Sequence, residues 1–174
     1  MAKKVAINGF GRIGRLVFRH LMERDDLDIV AVNDIAPLDN LIYLLKYDSV
    51  QRTPNVLIKA KDKAFMFGGK EIAFTSEKDP TQLPWKELGV ELVIESTGFF
   101  TDRAGASKHL EAGAKRVIIS APAKNVDKTI CMGVNEEVFD PQNDILVSNA
   151  SCTTNCLSPV AKVLDDNFGI DSGL

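Results

Sequence analysis

The segment Val5-Ala6-Ile7-Asn8-Gly9-Phe10-Gly11-Arg12-Ile13-Gly14 constrains the fold more than any other stretch of the chain. Val5 to Asn8 reads as a strand. The Gly-x-Gly-x-x-Gly run that follows opens a helix with Ile13, Leu16, Val17 and Leu21 on one apolar face. In that strand–turn–helix setting, Gly9 allows the tight turn, Gly11 lets backbone approach a pyrophosphate, and Gly14 permits close helix–strand packing. Leu27 to Val32 reads as a second strand ending at Asn33-Asp34, about 20 residues past the fingerprint. A carboxylate there accepts hydrogen bonds from adenosine ribose hydroxyls and repels a 2′-phosphate. The expected cofactor is NAD rather than NADP.

The rest of the pattern alternates in the same way. Pro37 to Tyr47 reads as a helix burying Leu38, Leu41, Ile42 and Leu45. Val56 to Ile58, Ala64 to Phe67 and Glu71 to Thr75 read as short strands, with Gly68-Gly69 as a two-residue hairpin between the last two. Leu92-Val93-Ile94 and Val117-Ile118-Ile119 are unbroken apolar runs of the kind found in central parallel strands. Thr101 to Ala112 is the helix between them, closed by Gly113. The expected fold class is α/β, a doubly wound, Rossmann-type, mostly parallel sheet with helices on both faces. In such sheets ligands sit outside the carboxyl ends of the strands. Gly9 to Gly14, Asn33-Asp34, Ser96-Thr97-Gly98 and Ser120-Ala121-Pro122 all follow strand ends and are expected to line one crevice.

A second site is written at Ser148-Asn149-Ala150-Ser151-Cys152-Thr153-Thr154-Asn155-Cys156. Ile145 to Val147 reads as a buried strand. Ser151 is an N-cap, and Leu157, Val160, Ala161 and Leu164 recur at helical spacing. A thiol on a first helical turn faces free N–H groups and the positive end of the helix dipole, which favours the thiolate and suits attack on a carbonyl. Cys152 is the candidate nucleophile. Cys156, one turn on, and Cys131, beside Ile130 and Met132 in a strand-like run, read as buried and inert. Phe65, Phe67, Phe74 and Trp85 read as packing. The expected boundary places a dinucleotide-binding domain at residues 1–150 and the first helix of a catalytic domain at 151–174.

These motifs, with AVNDI, LLKYDSV, ESTGFF, KRVIISAPAK and SNASCTTNCL, make the chain resemble the N-terminal part of phosphorylating glyceraldehyde-3-phosphate dehydrogenases over nearly its whole length. The resemblance implies that Cys152 attacks the aldehyde, hydride passes to NAD, and inorganic phosphate cleaves the thioester to an acyl phosphate, a step of glycolysis. It implies that Ser151 and Thr153 flank the substrate, glyceraldehyde 3-phosphate. It further implies that Arg12, Ile13, Asp34, Lys78 and Ser120 contact the cofactor, and that the full-length protein is a homotetramer. The chain departs from the family pattern at Gln51-Arg52-Thr53-Pro54 and at Lys78, where arginine is common. It also reaches Leu174 before the family's catalytic histidine. His20 and His109 read as structural or surface residues, so the chain alone is expected to be inactive. A segment of an erythrose-4-phosphate dehydrogenase and a non-catalytic NAD-binding module are the alternatives.

Composition narrows the partners. With a net charge of −3 and dispersed Lys and Arg, nothing calls for nucleic acid or an anionic membrane. No apolar run reaches membrane-spanning length. Three cysteines without metal-ligand spacing fit a reducing cytoplasm, and no metal is expected.

Overall fold

The computed structural model describes residues 2–173; Met1 and Leu174 lie outside the described residues. The chain forms β1 (Lys3–Asn8), α1 (Arg12–Leu21), β2 (Leu27–Asn33) and α2 (Leu38–Lys46), then β3 (Ile58–Ala60), β4 (Ala64–Phe67) and β5 (Lys70–Thr75). A 3-10 turn at Pro80–Gln82 and the short helix α3 (Trp85–Leu88) lead into β6 (Leu92–Glu95), α4 (Arg103–Glu111) and β7 (Arg116–Ile119). The chain closes with β8 (Lys128–Thr129), β9 (Leu146–Ser148) and α5 (Cys152–Phe168). The strands build one sheet in the order β3-β4-β5-β2-β1-β6-β7-β9-β8. From β5 to β8 every pairing is parallel, while β3, β4 and β5 form an antiparallel excursion at one edge. The expected doubly wound α/β architecture is what forms.

Each central strand is buried on both faces, which is why these strands read as unbroken apolar runs rather than as alternation. Val5 and Ile7 join Phe10, Phe18, Ile29, Val32, Leu41 and Phe65 in one core, beneath α1 and α2. Ala6 faces the opposite way, into a second core with Ala31, Trp85, Val93, Ala106, Val117 and Leu146 beneath α3 and α4. The aromatic group is therefore split. Phe65, Phe67 and Phe74 pack with Phe10 and Phe18, and Trp85 lies across the sheet. Phe18 meets Phe10 edge-on at 5.3 Å and Phe67 edge-on at 5.1 Å between ring centroids.

Several local expectations are corrected. Ile13 is 47% exposed, and the inner face of α1 is Gly14 and Phe18 with Val17 and Leu21. Gly14 must point at the strand, and Ile13 lies about 100° round the helix from it. Val56 and Leu57 are exposed, and β3 begins only at Ile58. Gly68 and Gly69 do form the hairpin turn, with φ of 58° and 90°, the left-handed values that two-residue turns need. Cys131 is buried but lies past the end of β8, in a turn whose Cys131 N–H donates to Asn135 Oδ1 at 2.8 Å, and Met132 is exposed. Cys156 is exposed, because α5 buries none of its residues. Among the described residues no helix is long and apolar enough to cross a membrane.

Candidate active site

Glycine dictates the shape of the β1–α1 turn. Gly9 has φ of 92°, and a Cβ built there would stand 2.6 Å from the Thr97 nitrogen, so the turn lies flat on the Ser96–Thr97 backbone. Gly14 seals the same junction, since its Cβ would meet the Gly9 carbonyl oxygen at 2.0 Å. The Gly9 N–H donates to Asn33 O at 2.8 Å, and Ser96 Oγ donates to Gly9 O at 2.7 Å. Arg15 Nη1 donates to Phe10 O at 2.7 Å. Burial lowers the Arg15 guanidinium from its ordinary pKa, opposed by Asp48 and Asp34.

Above this turn is a cleft of ≈ 480 Å³, within the size range of small-molecule sites. Gly9, Gly11, Asp34, Lys78 and Ser96 line it, together with Asn8, Asn33, Ile35, Glu77, Thr97, Phe99 and Phe100. Five of the residues expected at the cofactor thus meet on one wall. Gly14 lies directly under that wall, and Arg12 and Ile13 are exposed on the first turn of α1. Ser120 follows β7 but is not among the lining residues, nor are Ser151, Cys152 and Thr153. The expected single crevice is therefore built from three of the strand-end segments, without Ser120 to Pro122.

The cleft fits a dinucleotide on its own chemistry. Gly11 caps α1 without any capping side chain, no acidic residue occupies the first turn, and beyond the adjoining backbone nothing lies within 4 Å of where a Gly11 Cβ would be. A helix N-terminus left open in this way receives an anion. Asp34 stands beside it, with Oδ2 accepting from the Phe10 N–H at 2.6 Å and Oδ1 from the Ala36 N–H at 2.8 Å. An ionised carboxylate has about four acceptor positions, so two remain for ribose hydroxyls.

Beneath the cleft is a polar layer of which the sequence reading had only Asn33, as a crevice residue, and His109, as structural or surface, without Asn8, Glu95 or the bonds that join them. Asn8, Asn33, Glu95 and His109 are all buried. Asn33 Nδ2 donates to Asn8 Oδ1 at 2.7 Å, and Asn8 Nδ2 donates to Glu95 Oε2 at 2.6 Å. His109 Nε2 lies 2.9 Å from the same carboxylate oxygen, and Trp85 Nε1 donates to His109 Nδ1 at 3.0 Å. Glu95 Oε1 accepts from the Thr97 N–H at 2.8 Å and from the Thr97 hydroxyl. The available signal was a polar residue, Asn8 or Glu95, ending each apolar strand.

Cys152 opens α5 as expected. Ser151 Oγ accepts the Thr154 N–H at 2.9 Å, and Asn155 Nδ2 donates to Asn149 O at 2.8 Å, bracing the turn at Ala150. Cys152 is exposed at that helix start. Neither histidine is presented to it. His109 is occupied by Trp85 and Glu95, and His20 is exposed on α1. Among the described residues no group of three or more His, Cys, Asp or Glu could hold a metal ion.

A family model described as the NAD binding domain of glyceraldehyde 3-phosphate dehydrogenase matches residues 3–103, and one described as the C-terminal domain matches residues 151–174. Over 177 aligned residues the chain is 56% identical to glyceraldehyde-3-phosphate dehydrogenase 1 of Trichormus variabilis, covering 100% of this chain and 52% of that protein. It is 55% identical over 174 residues to glyceraldehyde-3-phosphate dehydrogenase of Priestia megaterium and to glyceraldehyde-3-phosphate dehydrogenase 1 of Bacillus subtilis, again covering 100% of this chain and 52% of each. The chain spans about half the length of the curated relatives it matches.

Proposed function

Because the chain belongs to the glyceraldehyde 3-phosphate dehydrogenase family, matched through its NAD-binding domain, we propose that it supplies the cofactor site and the nucleophile of a phosphorylating aldehyde oxidation. The observation that carries this reading is the convergence of Gly11, the open N-terminus of α1 and Asp34 on one cleft. The α1 N–H groups hold the pyrophosphate, aided by Arg12 and Ile13 on the same turn. Asp34 accepts from the adenosine ribose, and Lys78, Ser96 and Ser120 complete the cofactor contacts. When bound, NAD supplies a hydride acceptor.

Cys152 attacks the aldehyde carbon of glyceraldehyde 3-phosphate. A carbon–sulfur bond forms, the carbonyl π electrons move to oxygen, and that oxygen is protonated to give a thiohemiacetal. Loss of hydride from carbon and of the hydroxyl proton leaves a thioester. Inorganic phosphate then displaces the Cys152 sulfur and releases an acyl phosphate. Ser151 and Thr153 flank the reacting carbon.

Residues 1–150 form the cofactor domain in this reading and residues 151–174 begin the catalytic one. The separation is supported by α5, which contributes no buried residue to either core. A reducing cytoplasm suits the three free thiols. Calorimetric titration of NAD and NADP into the wild type and Asp34→Ala is the test. NAD is expected to bind much more tightly than NADP, with the preference lost in the variant. Equal affinity of the wild type for both would refute it.

A further inference from the structure

Beneath the cleft, the direction of every hydrogen bond in the polar layer follows from its end at Trp85. An indole N–H can only donate, so His109 Nδ1 is an acceptor and the ring proton sits on Nε2. His109 Nε2 therefore donates to Glu95 Oε2. Asn8 Nδ2, 3.4 Å from His109 Nε2, is a second donor to that oxygen rather than a partner of the imidazole. On the other oxygen, Glu95 Oε1 receives the Thr97 N–H and hydroxyl. Four donors thus converge on one fully buried carboxylate, and no neighbour asks it for a proton. A buried charge is tolerated only when satisfied in this way, and no buried side-chain polar atom among the described residues lacks a partner.

The two oxygens serve different elements. Oε2 ties β6 to β1 and α4 through Asn8 and His109, whereas Oε1 holds Thr97, which lines the cleft and lies against Gly9. We propose that Glu95 is the positioning residue of the nucleotide cleft, clamping the Thr97 turn against the Gly9 turn so that the cleft floor is set before the nucleotide arrives. This rests on the NAD reading of the cleft. Nothing here requires Glu95 to touch the cofactor.

The substitution Glu95→Gln tests the clamp, because the amide keeps the shape but offers one acceptor and one donor. Its NH2 cannot replace Oε2, where Asn8 Nδ2 and a tautomer locked by Trp85 both donate. It must face Thr97, where the backbone N–H meets another donor and the turn is pushed away. NAD affinity by calorimetry is expected to fall about tenfold or more in the folded variant. Trp85→Phe is the structural control, since it removes the indole bond and loosens the core but leaves Glu95 on Thr97. It should lower the unfolding midpoint with NAD affinity within about twofold of wild type. An unchanged affinity in Glu95→Gln, or an equal loss in Trp85→Phe, overturns the proposal. Should Glu95→Gln not fold, the wild type carries the test by NMR. The Thr97 amide should resist hydrogen exchange without NAD about as well as the β6 amides such as Ile94, and fast exchange at Thr97 in the nucleotide-free protein overturns the clamp. A wild type that binds no NAD overturns the cofactor reading and the clamp together, a result distinct from wild-type binding that Glu95→Gln leaves unchanged.

Discussion

Gly14→Ala and Gly11→Ala should fail in opposite ways, although both add one methyl group to the same turn. A Cβ at Gly14 lies 2.0 Å from the Gly9 oxygen, 2.9 Å from Ser96 Oγ and 3.1 Å from the Gly9 carbonyl carbon. Ordinary contact is about 3.5 Å, so the overlap with backbone is about 1.5 Å. The obstructing carbonyl is held from two sides, through the Gly9 N–H on Asn33 and the Ser96 hydroxyl on Gly9 O, so α1 must retreat instead. Overpacking of this kind costs about 1–3 kcal/mol, and a retreat that opens the fully buried Phe18 adds a share of the ~1.5–3 kcal/mol its burial contributes. A loss of roughly 2–5 kcal/mol follows, a large part of the ~5–15 kcal/mol that holds a typical domain. Gly11 has φ of −68° and open space where its Cβ would stand. Alanine there gains about 0.4–1 kcal/mol from a stiffer unfolded chain and loses a similar amount as a poorer N-cap, for a net near zero. Its methyl group would occupy the phosphate cradle, so NAD affinity should fall about tenfold or more. Urea unfolding and NAD calorimetry on both variants measure the contrast. A Gly14→Ala protein within about 1 kcal/mol of wild type, or a Gly11→Ala protein binding NAD normally, would refute the packing argument.

Limited iodoacetamide labelling with peptide mapping should modify exposed Cys152 and Cys156 before buried Cys131, and equal labelling of Cys131 would contradict the packing of its turn. Burial pushes the Asp127 carboxyl up, but the N–H groups of Leu146 and Ile145 and the Arg103 guanidinium outweigh it and hold it below its ordinary pKa. The stability it contributes is therefore present above the unfolded carboxylate range and is lost as pH falls through the lower folded value. Asp127→Asn should cost about 1.5–3 kcal/mol at neutral pH and flatten the acid limb of the stability profile. A loss of the same size at pH ~3 would show that charge is not involved.

Much of the fold was legible because apolar runs and turn residues act locally. The strands at 92–94 and 117–119, the helix closed by Gly113 and the hairpin at Gly68-Gly69 are each dictated by residues within a few positions of one another. The misses have a common cause. Val56 and Leu57 carry strand-like side chains, yet the ladder with β4 begins only at Ile58 and Leu57 meets the hairpin through its carbonyl alone, which accepts from the Gly68 N–H at 3.1 Å; pairing is a property of the sheet rather than of the segment. Cys156 and Leu157 show the same limit on a helix. Their spacing marks a face, but whether that face is covered depends on what packs there, and α5 presents both to solvent. At Gln51 and Arg52, Arg19 donates to both carbonyl oxygens at 2.8 Å, a contact spanning more than thirty residues of chain.

The site divides along the same line. Gly9, Gly11, Gly14 and the Ser151 cap were readable because each answers a backbone demand, a left-handed φ, a close approach or an unpaired N–H, that few residue types can meet. Glu95 and His109 answer a side-chain demand that exists only after folding. Asn8 and Glu95 are 87 positions apart, and Trp85 and His109 are 24 apart. Before the sheet forms, His109 is an ordinary helical histidine and Glu95 an ordinary polar end to a strand. Assembly of β1, β6 and α4 removes both from water, and each then needs the other. A motif search therefore finds the glycine turn and Asp34 on the cleft wall and passes over the buried layer beneath them. Substitutions in the visible motif should act on binding or on turn geometry directly, whereas Glu95 should act on binding through Thr97 and Trp85, at the far end of the layer, on stability alone.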